Sequence, residues 1–199
     1  QNAVSGHPVC APYRASLFTG KYTISTGMVI NELRMNPDHR CLGHVLTEAG
    51  FETAYIGKWH LWANELGNHF HPKNAYIPPG PHRLGFDGFW AAYNFHHHYN
   101  DAVYYADSPE PVTMEGYEPD GQTGLAIEQM RQAAAIDAPF ALFLSYGTPH
   151  DPWDSENVPE AYKALFRDID FPLPPNYRPV NDLHAHYAVD FFGEGRVEE

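Results

Sequence analysis

With 199 residues the chain is long enough for one domain with a real core. Its 12 Lys and Arg against 25 Asp and Glu give a formal net charge of −13, which argues against nucleic acid, whose phosphates demand basic patches. The 18 prolines and 16 glycines point to long irregular segments, and no apolar run is long enough to span a bilayer.

Gln1 to Val9 reads as an incoming loop, with His7-Pro8 forcing an extended approach to Cys10. Cys10 to Gly20 reads as a helix. Pro12 loses no hydrogen bond in the first turn, and Gly20 suits a C-terminal cap. That puts Cys10 where free N–H groups and the helix dipole favour an anionic group, with Arg14 one turn along and able to reach the same point. A buried structural cysteine before an amphipathic helix is the competing account, and these two residues alone do not decide between them. Lys21 to His39 shows no period. Leu42, Val45, Leu46 and Ala49 have helical spacing within Cys41 to Ala49, with Gly50 as cap, and Phe51 to Ile56 is a short buried strand. Lys58 and His60 then fall in the loop beyond the strand's C-terminal end, where ligands collect in parallel α/β sheets.

Trp62 to Ser108 is aromatic and aperiodic, and its length predicts a functional insert over the site. It contains His96-His97-His98. Neighbouring side chains diverge, which argues against a metal site in the triplet and favours a substrate-facing role for His97 or His98. Thr123 is a candidate N-cap for a helix over Gly124 to Ala135, stopped by Pro139. Phe140 to Ser145 is continuously apolar, the mark of a doubly covered central strand. His150 follows in a Pro-His turn at its end. Pro159 to Phe166 reads as a short helix, Phe171 to Pro179 as extended, and Asp182 to Phe192 as a helix. His7, His44, His69 and His82 read as structural or solvated. No repeat and no second domain shows.

Two stretches carry a resemblance. Cys10-Ala11-Pro12-Tyr13-Arg14-Ala15-Ser16-Leu17-Phe18-Thr19-Gly20 and Gly50-Phe51-Glu52-Thr53-Ala54-Tyr55-Ile56-Gly57-Lys58-Trp59-His60-Leu61 resemble the two signatures of the type I sulfatases, in the family's order and spacing. Gly85-Phe86-Asp87 with Phe89-Trp90, and Gly147-Thr148-Pro149-His150-Asp151-Pro152, resemble further stretches of that family. Tyr13 departs from the usual Ser or Ala at a variable position. The resemblance implies an alkaline-phosphatase-like α/β fold, a mostly parallel sheet flanked by helices, of which residues 1–199 would be the middle of the catalytic domain.

It also implies the chemistry. Cys10 would be oxidised by a formylglycine-generating enzyme, which requires it free rather than paired with Cys41. As formylglycine it would be the nucleophile, supported by Arg14. Lys58 would bind a sulfate oxygen, His60 would act as base on the formylglycine hydroxyl, and His150 would contact the sulfate and help protonate the leaving oxygen. Apart from the resemblance, the Trp62 to Ser108 stretch, with Trp90, Tyr93, Tyr99 and the histidines, His97 or His98 foremost, is aromatic and polar together. That suits sugar faces and hydroxyls and makes a sulfated carbohydrate the first choice of sulfated small molecule. The family holds calcium. Residue 10, as formylglycine, would be one ligand, but the family's acidic pair and its later Asp with Asn or His are absent from this sequence, so the fragment is expected to be inactive alone. A periplasmic or secreted location is implied too. The rivals are a phosphonate or phosphate ester hydrolase of the same superfamily and a non-catalytic remnant.

Overall fold

The computed structural model describes residues 4–63, 71–136, 138–153, 155–173 and 175. They divide into two units, Gln1–Pro159 and Glu160–Glu199. In the first, helix α1, Cys10–Thr19, ends at Gly20 in the left-handed region (φ 67°), whose N–H returns to Ser16 O at 2.9 Å. Its buried face is Ala11, Pro12, Ala15 and Phe18, so α1 lies close against the sheet and inserts a single large ring. A one-turn helix α2, Thr23–Thr26, follows in the stretch without a period. Helix α3, Leu42–Glu48, opens on a capping box in which the Cys41 N–H donates to His44 Nδ1 at 3.0 Å. His44 is therefore structural, as the sequence suggests.

Strand β1, Glu52–Lys58, is the middle of a parallel three-stranded sheet. After the short helix α4, Pro72–Ala75, strand β2, Phe89–Tyr93, pairs with one edge of β1, Lys58 opposite Tyr93. A small antiparallel ribbon of β3, Val103–Tyr104, and β4, Val112–Thr113, leads into α5, Glu118–Ala133. Strand β5, Phe140–Ser145, completes the order β2-β1-β5, with Gly57 opposite Ser145. The expected α/β architecture with a parallel sheet and flanking helices is present.

Three expectations are corrected. Trp62 to Ser108 is more than an insert, because it supplies β2, a core strand with Trp90, Ala91, Ala92 and Tyr93 all buried. Five residues amid many aromatics leave no readable period. Among the described residues β1 is central and β5 pairs with β1 alone, its side chains only half-buried. And α5 begins at Glu118, not near Thr123. Pro119 sits in its first turn, where a missing N–H costs nothing, while the Thr123 hydroxyl donates back to Pro119 O at 2.6 Å inside the helix.

An aromatic cluster fastens α1 to the sheet. Phe18 stacks on Trp59 with ring centres 5.5 Å apart, Tyr55 meets Trp59 edge-on at 4.9 Å, and Tyr55 stacks on Trp90 at 5.3 Å. Burying such a side chain stabilises the fold by about 1.5–3 kcal/mol, so this cluster anchors the segment that bears Cys10 and Arg14. Among the described residues no helix is long and apolar enough to cross a membrane. In the second unit the expected short helix is α6, Glu160–Ala164, where Glu160 pairs with Lys163 at 3.2 Å and with Arg167. His69 and the predicted helix over Asp182 to Phe192 lie outside the described residues, as does most of the predicted extended run.

Candidate active site

Four segments converge at the C-terminal ends of the strands. The first is the N-terminus of α1. Ala11 N donates to Asn31 Oδ1 at 3.0 Å, which satisfies one of the helix's free amides. Cys10 is half-buried and unpaired, and so is the buried Cys41, so no disulfide competes for the thiol. The Cys10 Sγ lies 4.0 Å from Lys58 Nζ.

Lys58 ends β1 rather than lying in the loop beyond it. The register accounts for its position, because Gly57 has φ 99° and a Cβ there would collide with the Ser145 carbonyl. The glycine brings β1 against β5 and sends Lys58 out of the sheet's end into a buried position. Burial lowers the Lys58 ammonium to about 8, Arg14 acting the same way, while Cys10, Glu118 and Asp151 work against it.

Arg14 reaches the same place, but its best-defined contacts go to the protein. Its Nη1 donates to Lys58 O at 2.7 Å, Ser145 Oγ at 2.8 Å and Tyr55 Oη at 3.3 Å. It thus ties α1 to the ends of β1 and β5 while leaving its charge beside Cys10 and Lys58. His60 is buried and sits at φ 55°, a conformation uncommon for a non-glycine residue and frequent at functional sites. Burial, then Lys58, Arg14, His97 and His150, lower its pKa to about 2, so the imidazole is neutral.

The histidine triplet divides. His96 is buried and stacks on Tyr93 with ring centres 3.6 Å apart. His97 lies against His150, ring centres 4.2 Å apart, and His98 is exposed. Divergence of adjacent side chains therefore holds. His97 and His150 nevertheless meet Asp151 in a group whose ligand atoms all lie within 4.8 Å of one another, able to hold a divalent ion. His150 Nδ1 is 2.7 Å from Asp151 Oδ1.

The donor chemistry decides how calcium fits. Two imidazole nitrogens and one carboxylate suit a borderline transition ion better than calcium, which takes six to eight oxygens. Around Cys10 the groups just described are the cations Lys58 and Arg14. Among the described residues, this chain does not fit the calcium that the resemblance implies.

Sequence reasoning missed Phe95, whose ring meets Lys58 Nζ at 4.8 Å, His60 at 4.6 Å and His97 at 4.6 Å. It also missed Asn31, Ser145, Asp151 and Glu118. Asp151 stood inside a motif already noted, while the others had no local signal. Arg14, Lys58, His60, His97 and His150 thus gather at one place in a chain of formal net charge −13, with His60 uncharged.

An ulvan-active sulfatase of Formosa agariphila is 39% identical over 194 residues, 94% of this chain and 36% of that protein. An N-acetylglucosamine-6-O-sulfatase of Bacteroides thetaiotaomicron is 29% identical over 177 residues, covering 88% of this chain and 27% of its own length. The crystal structure of Bacteroides fragilis YidJ superposes with a TM-score of 0.73 at 25% identity, covering 96% of this chain and 47% of that one. The chain thus spans about a third of the length of the curated relatives it matches. The sulfatase family model matches residues 1–180, nearly the whole chain, and with both signatures folded into one strand-end cluster the chain belongs to the type I, formylglycine-dependent sulfatases.

Proposed function

We propose that the gene product carrying this chain hydrolyses a sulfate monoester, that of a sulfated carbohydrate, through a formylglycine made from Cys10. The observation that carries the reading is the 4.0 Å approach of Lys58 Nζ to Cys10 Sγ at the N-terminus of α1, with Arg14 behind both. An anion at residue 10 would meet fixed cations and helix amides, already oriented and partly out of water, the arrangement that best stabilises a developing charge.

The hydrate of formylglycine supplies a hydroxyl that attacks sulfur, and its second hydroxyl, on deprotonation, expels the sulfate. The chain's own residues do the rest. Lys58 binds a sulfate oxygen, and Arg14 holds Lys58 and the strand ends in place. His60 accepts the proton of the formylglycine hydroxyl. Its neutral form is the competent one, and a bound anion offsets the Lys58 and Arg14 charges that weaken it as a base. His150, oriented by Asp151, contacts the sulfate and protonates the leaving oxygen. Arg14 Nη1 is engaged by three neutral protein oxygens, so Arg14 acts at residue 10 through its charge and Lys58 is the direct donor, an arrangement that suits a singly charged sulfate ester better than a phosphate dianion.

The carbohydrate assignment is supported by the names of two relatives, one active on ulvan and one an N-acetylglucosamine-6-O-sulfatase. The exposed His98 can meet the hydroxyls of a sugar beyond the sulfate. A periplasmic or secreted location belongs to the same reading. The test is peptide mass spectrometry of the gene product made with a formylglycine-generating enzyme. Cys10 is expected to lose ~18 Da as thiol becomes aldehyde, and Cys10→Ser to abolish hydrolysis of a sulfate ester without unfolding. Active protein with Cys10 unmodified would overturn the proposal.

A further inference from the structure

Glu118 is a carboxyl with no part in the chemistry above, yet it is 1% exposed directly beneath the site. It opens α5, and its N–H donates to Tyr99 O at 2.8 Å. The Tyr99 hydroxyl in turn donates to His150 O at 2.9 Å and Asp151 O at 3.2 Å. The side chain faces the other way round the same turn. Glu118 Oε1 accepts from Gln122 Nε2 at 2.8 Å and lies 3.7 Å from His96 Nε2, next to His97 in sequence. Gly147, which begins the turn bearing His150, lies against it. A Cβ at 147 would come within 2.6 Å of Tyr93 Oη and 3.2 Å of Glu118 Oε2. The turn can sit on this carboxyl only because residue 147 has no side chain.

We propose that Glu118 is a positioning residue of the site, a buried carboxyl that holds the loop bearing His97 and the turn bearing His150 in one fixed relation. The inference rests on the functional reading above. A buried ionisable group is costly, and an apolar or amide side chain would fill the same space more cheaply, so its presence calls for a role beyond filling. The groups facing it are Lys58 from β1, Tyr93 from β2, His96 and Tyr99 from the loop beyond β2, and Gln122 from α5. Burial raises the Glu118 carboxyl to about 7, against the opposing pull of Tyr93 and Lys58, so its charge changes near neutrality.

The experiment compares Glu118→Gln and Glu118→Asp with the parent gene product, matured as above. For Glu118→Gln, kcat/KM on a sulfate ester is expected to fall roughly 10- to 100-fold, carried by kcat, as small displacements of reacting groups do. Its Tm is expected within about 4 °C of the parent. An inflection of kcat/KM near pH 7 is expected in the parent, is expected to be absent from Glu118→Gln, and is expected in Glu118→Asp with part of the activity restored. Ethoxyformylation of His150 by diethyl pyrocarbonate, read by peptide mass spectrometry, is expected to accelerate in Glu118→Gln. Unchanged kinetics and unchanged His150 reactivity would overturn the proposal. So would equal losses in both variants that merely follow a collapse of Tm. A parent without sulfatase activity would remove the functional reading, while the His150 modification rate would still decide the role of Glu118.

Discussion

Lys58 Nζ lies 4.0 Å from Cys10 Sγ, and the backbone carbonyl of that same lysine accepts a hydrogen bond from Arg14 Nη1 at 2.7 Å. Arg14 stands one turn beyond Cys10 on α1, so one helix grips Lys58 from both ends. Its first residue faces the ammonium and its fifth holds the carbonyl. The site is thereby stiff at the point where charge would develop, and three expected outcomes follow from its parts.

The first concerns Lys58 and pH. Burial and Arg14 lower its pKa to about 8, so the ammonium is intact below that value and lost above it. kcat/KM on a sulfate ester is therefore expected to fall as pH rises through about 8, a limb absent from Lys58→Met. That variant is expected to lose roughly 10²- to 10³-fold, the usual effect of removing one stabilising donor or charge. A pH profile of Lys58→Met that keeps the limb would assign it elsewhere.

The histidine triplet gives a second contrast. His97 packs on His150, whereas His98 is exposed. His97→Ala is expected to lower kcat/KM alike on a sulfated sugar and a small aryl sulfate, because in the proposed mechanism both would place sulfate against His150. His98→Ala is expected to lower it on the sugar alone, since an aryl ester never uses that remote contact. Steady-state kinetics on the two substrates checks both halves, and a His98→Ala loss on the aryl ester would move His98 to the sulfate.

Calcium supplies the third. The described residues offer no oxygen-rich set beside Cys10, and the His97–His150–Asp151 group is nitrogen-rich. Titration calorimetry of residues 1–199 is expected to show weak calcium binding or none, since too few oxygens offset the ion's dehydration. Tight, stoichiometric binding would show that these residues do hold an oxygen-rich calcium site.

Sequence by itself determined what depends on neighbours along the chain. Pro12 and Gly20 delimit α1, a spacing of four puts Cys10 and Arg14 on one helical face, and an apolar run before a Gly-Lys-x-His motif makes β1 and its site-bearing end legible. Only the tertiary structure decided the rest. β2 was hidden because its five residues carry no period of their own and are recognised by their parallel register with β1. Phe95 meets three site residues, and Glu118 reaches the turn bearing His150 through Tyr99 and Gly147, by contacts between segments far apart in sequence. The triplet His96-His97-His98 shows the division most plainly. Chain geometry requires neighbouring side chains to diverge, but which one faces His150, which is buried on Tyr93 and which meets solvent is set by the surfaces that β2, α5 and the turn after β5 bring around them.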